Sequence, residues 1–181
     1  GATFEGPAML PFAEWLIGQD KYEDAMTAFK GAGRTDLARK VLHDLTSNAI
    51  RESRFKDAAY FLYMLSKESE GEERGLQAEC ERKADLYYAY AAVHEYVTSP
   101  FTSHQPETLF QTSRFILNSL GGNQDEDTPF GISKMGAMYT LARQAMTLGA
   151  YKLARYSYDM LGRMKLPKKK TYEVQLDMLK I

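Results

Sequence analysis

A chain of 181 residues is long enough for one compact domain or for several stacked repeats. Its 44% hydrophobic and 26% charged content is ordinary for a soluble protein, and Ala, Leu, Met and Tyr outweigh the β-branched residues, which weights the reading to helix over sheet. A net charge of −1 gives no global case for nucleic-acid binding, and the lone Cys80 excludes a disulfide framework and a thiolate zinc site.

No apolar run approaches the roughly 20 residues of a bilayer span, and no secretory h-region opens the chain. With one thiol, this reads as a soluble intracellular piece from a reducing compartment, cut from something longer. Pro7 and Pro11 open a first helix near residues 8–18, where Phe12, Trp15 and Leu16 give an apolar face. Asp20-Lys21-Tyr22-Glu23 predicts a capping-box-like start for the next helix, which carries Tyr22, Ala25, Phe29 and Ala32 and ends at Gly33. Thr35 is expected to cap a longer helix through Leu37, Ala38, Val41, Leu42, Leu45 and Ala49, and Ser53 to start its partner with Phe55, Ala58, Leu62 and Leu65. Tyr22 to Phe55, Ala25 to Ala58 and Phe29 to Leu62 share one offset of 33 residues. That is close to the roughly 34-residue period of tetratricopeptide (TPR) repeats.

Glu68 to Gly75 reads as a loop, followed by a long helix over about 73–97 with tyrosines at 87, 88, 90 and 96. A third copy at the same offset would use Tyr88, Ala91 and Glu95, and Glu95 breaks the pattern. Thr98 to Gln105 is a linker. Pro106 starts a helix through Leu109, Phe110, Phe115, Ile116 and Leu120, and Gly121 to Asp127 is a polar, acidic loop. Thr128-Pro129 is expected to open the helix leading into the last unit. There Ala142, Gly149, Tyr151, Ala154 and Tyr158 repeat the earlier small and large positions, with Gly149 at the turn. Pro167 stops the last helix, and a short amphipathic stretch carries Val174, Leu176, Met178 and Leu179.

The expected class is therefore all-α: a right-handed α-solenoid of TPR-like helix–turn–helix repeats, about eight helices plus a weak ninth. Residues 1–181 are grouped as one repeat domain, with units at about 8–33, 35–69, an irregular 73–120 and 130–164, and a basic tail at 165–181. The charge is uneven. Residues 130–181 hold ten Lys/Arg against three Asp/Glu, or +7, and residues 1–129 hold thirteen against twenty-one, or −8. Arg163, Lys165, Lys168, Lys169 and Lys170 are the candidate partner-binding patch; the plain alternative is a solvated basic end.

No catalytic, metal or cofactor constellation emerges. His43, His94 and His104 lack ligand spacing, and Asp125-Glu126-Asp127 lacks the glycine and terminal glutamate of a calcium loop. Gly131 and Gly136 do not form a phosphate-cradling loop. Tyr87 to Tyr96 lie among negative charge, so core packing is a better reading than base stacking. The positions that would form a concave carboxylate clamp, Pro7, Leu10, Glu14 and Ile17, supply no cationic donor. No enzyme, nucleic-acid ligand, small-molecule substrate or membrane insertion is expected.

Three blocks carry a resemblance to a known family. The first runs from Ala13-Glu14-Trp15-Leu16 through Phe29 to Arg34 and on to Glu52 to Tyr60. The second is Pro100-Phe101, His104, Pro106-Glu107-Thr108-Leu109-Phe110 and Ser113-Arg114-Phe115. The third is Gly131 to Lys134 and Leu148 to Arg155. Together they resemble the C-terminal tetratricopeptide region of intraflagellar transport A subunits, of the kind with WD-repeat propellers before the helical repeats and zinc-binding cysteines near the C-terminus. The second block is the most specific, since repeat packing alone does not demand it. The sequence departs from the pattern at Ser69–Ala78, Gly121–Asp127 and after Lys168.

The resemblance implies a scaffold with other subunits of that complex as partners. It implies a role in retrograde ciliary transport and in ciliary entry of membrane proteins, with the protein at the cilium, the basal body and in the cytoplasm. A vesicle-coat-like subunit and a peptide-binding TPR adaptor are the alternatives.

Overall fold

The computed structural model describes residues 8–69, 71, 74–99, 101–121, 128–164 and 177–179. Among them are eight helices and no strand: α1 (Met9–Gly18), α2 (Tyr22–Gly31), α3 (Thr35–Arg51), α4 (Phe55–Glu68), α5 (Arg74–Thr98), α6 (Pro106–Ser119), α7 (Lys134–Thr147) and α8 (Tyr151–Gly162). The class is all-α, built of TPR-like helix–turn–helix units. Most of the expected weak ninth helix lies outside the described residues. The chain divides into two compact units, Gly1–Asp85 and Leu86–Ile181. The boundary falls inside α5, where the 33-residue register lapses: Tyr88 and Glu95 are exposed, while Leu86, Tyr87, Tyr90 and Val93 are buried.

One turn geometry recurs four times. Asp20, Gly33, Ser53 and Gly149 take left-handed φ values of 58°, 69°, 58° and 79°. After each, the next amide reaches back to close the preceding helix: Lys21 N–H donates to Leu16 O, Arg34 to Phe29 O, Arg54 to Ala49 O and Ala150 to Ala145 O, at 2.8–3.0 Å. These are Schellman closures, which satisfy carbonyls that the helix end leaves without partners. The same next residue is the N-cap of the following helix. Its carbonyl accepts from an alanine amide one turn on, at Ala25, Ala38, Ala58 and Ala154, and all four alanines are fully buried. A tight turn brings two helices close just after it, and only a small side chain fits there.

This geometry corrects several expected caps. Lys21, Arg34 and Arg54 are the N-caps of α2, α3 and α4, and none makes a side-chain capping bond. The capping box at Asp20 does not form; its carboxylate accepts from the Tyr22 hydroxyl at 2.8 Å instead. Thr35 is the first helical residue, and Ser53 takes the left-handed position glycine fills elsewhere. Thr128-Pro129 does not open α7: the cap is Ser133, whose Oγ accepts from the Gly136 amide at 2.9 Å. The α8 helix ends at Gly162, and Pro167 lies outside the described residues.

Ser53→Gly is expected to stabilise the chain by about 1 kcal/mol, since a non-glycine residue bears that cost in the left-handed region. Gly149→Val is expected to lose at least as much, and the cost there is purely conformational because nothing lies within 4 Å of an added Cβ. Urea midpoints moving in opposite directions check the pair.

In Gly1–Asp85, α1 packs on α2, α3 on α4, and α2 on α3. Ala13 and Leu16 form the buried side of α1; Phe12 and Trp15, expected on its packed face, are exposed and stack at 6.2 Å. The α1 helix is apolar on both sides, so hydrophobicity alone does not select the face that meets α2. In Leu86–Ile181, α7 packs on both α6 and α8. The Tyr87 hydroxyl donates to the Phe130 carbonyl at 2.6 Å, and the His104 Nε2 to the Ser99 carbonyl at 3.2 Å with its ring edge-on to Tyr96. Pro106 follows in the first turn of α6. The His104-x-Pro106 block thus closes the α5–α6 connection.

Candidate docking surface

The repeat-packing residues read from the sequence fall into two groups. Ala25, Phe29, Phe55, Ala58, Leu62, Ala142, Ala154 and Tyr158 are buried, and Gly149 sits exposed at its turn. Tyr22 is half-buried. Phe61 of α4 meets its ring edge-on at 4.9 Å and Tyr60 at 6.5 Å. Tyr151, the equivalent of Tyr22 in the last unit, is 57% exposed, so its expected packing role needs correction. Tyr22 is covered because a helix of the following repeat lies on it. No described helix lies on Tyr151 in that way.

The α2 stripe under α4 can be read residue by residue. Tyr22 meets Phe61, Glu23 accepts from the Tyr60 hydroxyl at 3.4 Å, Met26 is buried, and Lys30 pairs with Glu68 at 3.1 Å. Aligned through the shared turn, the matching α8 positions are Tyr151, Lys152, Arg155 and Asp159. With Tyr156 and Met178 these line an open groove of about 690 Å³. Tyr156 is 58% exposed.

Beside the groove, Asp177 is buried against the α7–α8 hairpin. Its Oδ2 accepts from Arg143 at 2.6 Å and from the Tyr158 hydroxyl at 3.0 Å. Burial would lower the pKa of the Arg143 guanidinium, but the Asp177 carboxylate outweighs it and holds Arg143 above its usual range. Burial, then the Asp177 charge, pushes the Tyr158 hydroxyl well up. Sequence reasoning missed this pair, because Arg143 and Asp177 are separated by a whole helix and carry no motif.

Burial also raises Tyr22 and Tyr87 from 10.0 to about 12. A raised tyrosine favours the neutral folded form. Its contribution is fully present below pH 10 and is lost as pH climbs through the folded value. Denaturant midpoints are therefore expected to hold up to about pH 10 and to fall between pH 10 and about 12, in step with tyrosinate absorbance. A midpoint indifferent to pH across that window would contradict the burial of these hydroxyls.

Of the basic patch expected from sequence, Arg163 is exposed and pairs with Asp159 at 3.0 Å. Lys165, Lys168, Lys169 and Lys170 lie outside the described residues. Among the described residues no group of His, Cys, Asp and Glu could hold a metal ion, and no helix is long and apolar enough to cross a membrane.

The family described as "IFT122, TPR domain" matches residues 2–136. Intraflagellar transport protein 122 homolog of Homo sapiens is 42% identical over 187 residues, covering 98% of this chain and 15% of the human protein. The proteins of that name from Mus musculus and Danio rerio are 40% and 39% identical and are covered over 16% of their length. The chain thus spans about a sixth of the relatives it matches.

Proposed function

Since the chain belongs to the IFT122 TPR-domain family, we propose that it is a non-catalytic scaffold and protein–protein docking segment of the intraflagellar transport A complex. In this reading its partners are other subunits of that complex. Through them it serves retrograde ciliary transport and the ciliary entry of membrane proteins, at the cilium and basal body and in the cytoplasm. The carrying observation is the family match over residues 2–136. The helical build supports it: repeated turns and buried alanines make stiff hairpins whose outer faces are free to meet other chains.

The test is affinity purification of the full-length protein from ciliated cells. The other subunits are expected to co-purify. Charge reversal at Arg163, Lys165, Lys168, Lys169 and Lys170 is expected to weaken recovery at low salt and to flatten its salt dependence. Recovery unchanged by reversal at every salt concentration would make that patch a solvated surface. Absence of the other subunits from the wild-type sample would overturn the scaffold reading.

A further inference from the structure

We propose that Thr128 is a phosphorylation site for a proline-directed serine/threonine kinase, and that Lys134 and Arg163 receive the phosphate. This does not depend on the scaffold reading. It adds a covalent switch to the unit Leu86–Ile181.

The local chain makes the acceptor. The sequence holds two Ser/Thr-Pro dipeptides, Ser99-Pro100 and Thr128-Pro129. Proline keeps the residue before it out of helical geometry, and Thr128 lies in the irregular segment before α7. The hydroxyls of Thr27, Thr46, Thr98, Thr140 and Thr147 are tied to carbonyls four residues back in their own helices. Thr128 is half-buried, and its hydroxyl has no hydrogen-bond partner among the described residues. Just after it, the Ile132 amide closes a turn on the Pro129 carbonyl at 3.1 Å, and the Tyr87 hydroxyl holds the Phe130 carbonyl. Ser99 is held more tightly: its amide donates to Glu95 O at 2.8 Å, and its carbonyl accepts from both Thr102 and His104. Reaching Ser99 would mean unwinding the end of α5.

The groove makes the receiver. Thr128, Lys134 and Arg163 line one open groove of about 720 Å³. Lys134 has no ion-pair partner among the described residues, and Arg163 pairs only with the exposed Asp159, at 3.0 Å. A phosphothreonine carries about −1.5 to −2 charges at pH 7 and three acceptor oxygens. It therefore outcompetes a single exposed carboxylate for a guanidinium, whose planar donors match phosphate two at a time. Ser133 already caps α7 through the Gly136 amide, so the attraction comes from the two side chains and not from the helix end. In the transfer, the Thr128 Oγ1 attacks the γ-phosphorus of Mg-ATP. The new O–P bond forms as the bond to ADP breaks, and the hydroxyl proton passes to the kinase's base. The phosphate would then fasten the segment before α7 to the end of α8.

The experiment treats the full-length protein with a purified cyclin-dependent kinase and Mg-ATP, and maps phosphate by peptide mass spectrometry. Thr128 is expected to be labelled at least about tenfold more than Ser99, and Pro129→Ala, which keeps the carbonyl that Ile132 uses, to cut that labelling about tenfold. The same peptide from protein purified out of ciliated cells under phosphatase inhibition is expected to carry the phosphate. Amide hydrogen exchange is expected to slow over residues 129–136 and at the end of α8 once Thr128 is phosphorylated. Lys134→Gln with Arg163→Gln is expected to abolish the slowing while Thr128 remains phosphorylated. Absence of phosphate at Thr128 from either sample, or preferential labelling of Ser99, overturns the site. Exchange unchanged by phosphorylation, or slowed equally in the double variant, overturns the receiving pair.

Discussion

Tyr158→Ala is expected to destabilise the unit Leu86–Ile181 by about 3–5 kcal/mol, the loss typical of emptying a large buried aromatic site. Tyr158 is fully buried among Met138, Ala142, Ala145, Ala154 and Leu161, on the face where α8 meets α7. Neighbouring helices anchored by tight turns cannot collapse far into the space left. Tyr158→Phe keeps the ring and removes only the hydroxyl bond to Asp177. It is expected to cost about 1 kcal/mol, the usual net worth of one hydrogen bond, because Asp177 retains Arg143. Trp15, the only tryptophan, lies in α1 and reports on the other unit. Amide hydrogen exchange across α7 and α8 is therefore the suitable measurement. Equal losses for the two variants would mean that the Asp177 network, and not ring packing, holds the hairpin.

Helix placement was largely legible because small and large apolar residues recur at a fixed offset, and a periodic face needs no tertiary knowledge to recognise. Ala25 and Ala58 could be picked out that way, and Ala154 by the same order of small and large residues around its turn. Ala38 was legible only as one member of an apolar face. It belongs to the same structural set as the other three, but it lies on the first helix of a repeat, off the 33-residue offset.

Turn chemistry was half legible. Gly33 and Gly149 announce a left-handed position, whereas Asp20 and Ser53 read more naturally as caps and were assigned to the wrong side of the turn. The exposure of Tyr151 was not legible, because burial of a repeat residue depends on the next repeat and not on its own helix. The Arg143–Asp177 pair was hidden for the related reason that its partners meet only after folding.

Ala154→Leu and Ala58→Leu are expected to cost about 1–3 kcal/mol each by overpacking. The added carbons have little room to enter: each alanine sits one turn after a Schellman closure and is fully buried. Relief would require the hairpin to open, which would pull on the 2.8 Å amide bonds from Arg54 to Ala49 and from Ala150 to Ala145. The turn position, and not the 33-residue offset, is thus the predictor, and it makes a sharper demand. Ala25→Leu and Ala38→Leu must show losses of the same size, although only the first lies on the repeat offset. Ala78→Leu, on an exposed position of α5, is expected to stay within about 0.5 kcal/mol of wild type. Urea unfolding of the five variants decides it. An Ala38 variant as stable as the Ala78 control would break the link between turn and close approach. Losses at all four turn alanines would establish that the tight turn dictates the small residue, and through it the spacing of the helices that carry the α8 groove.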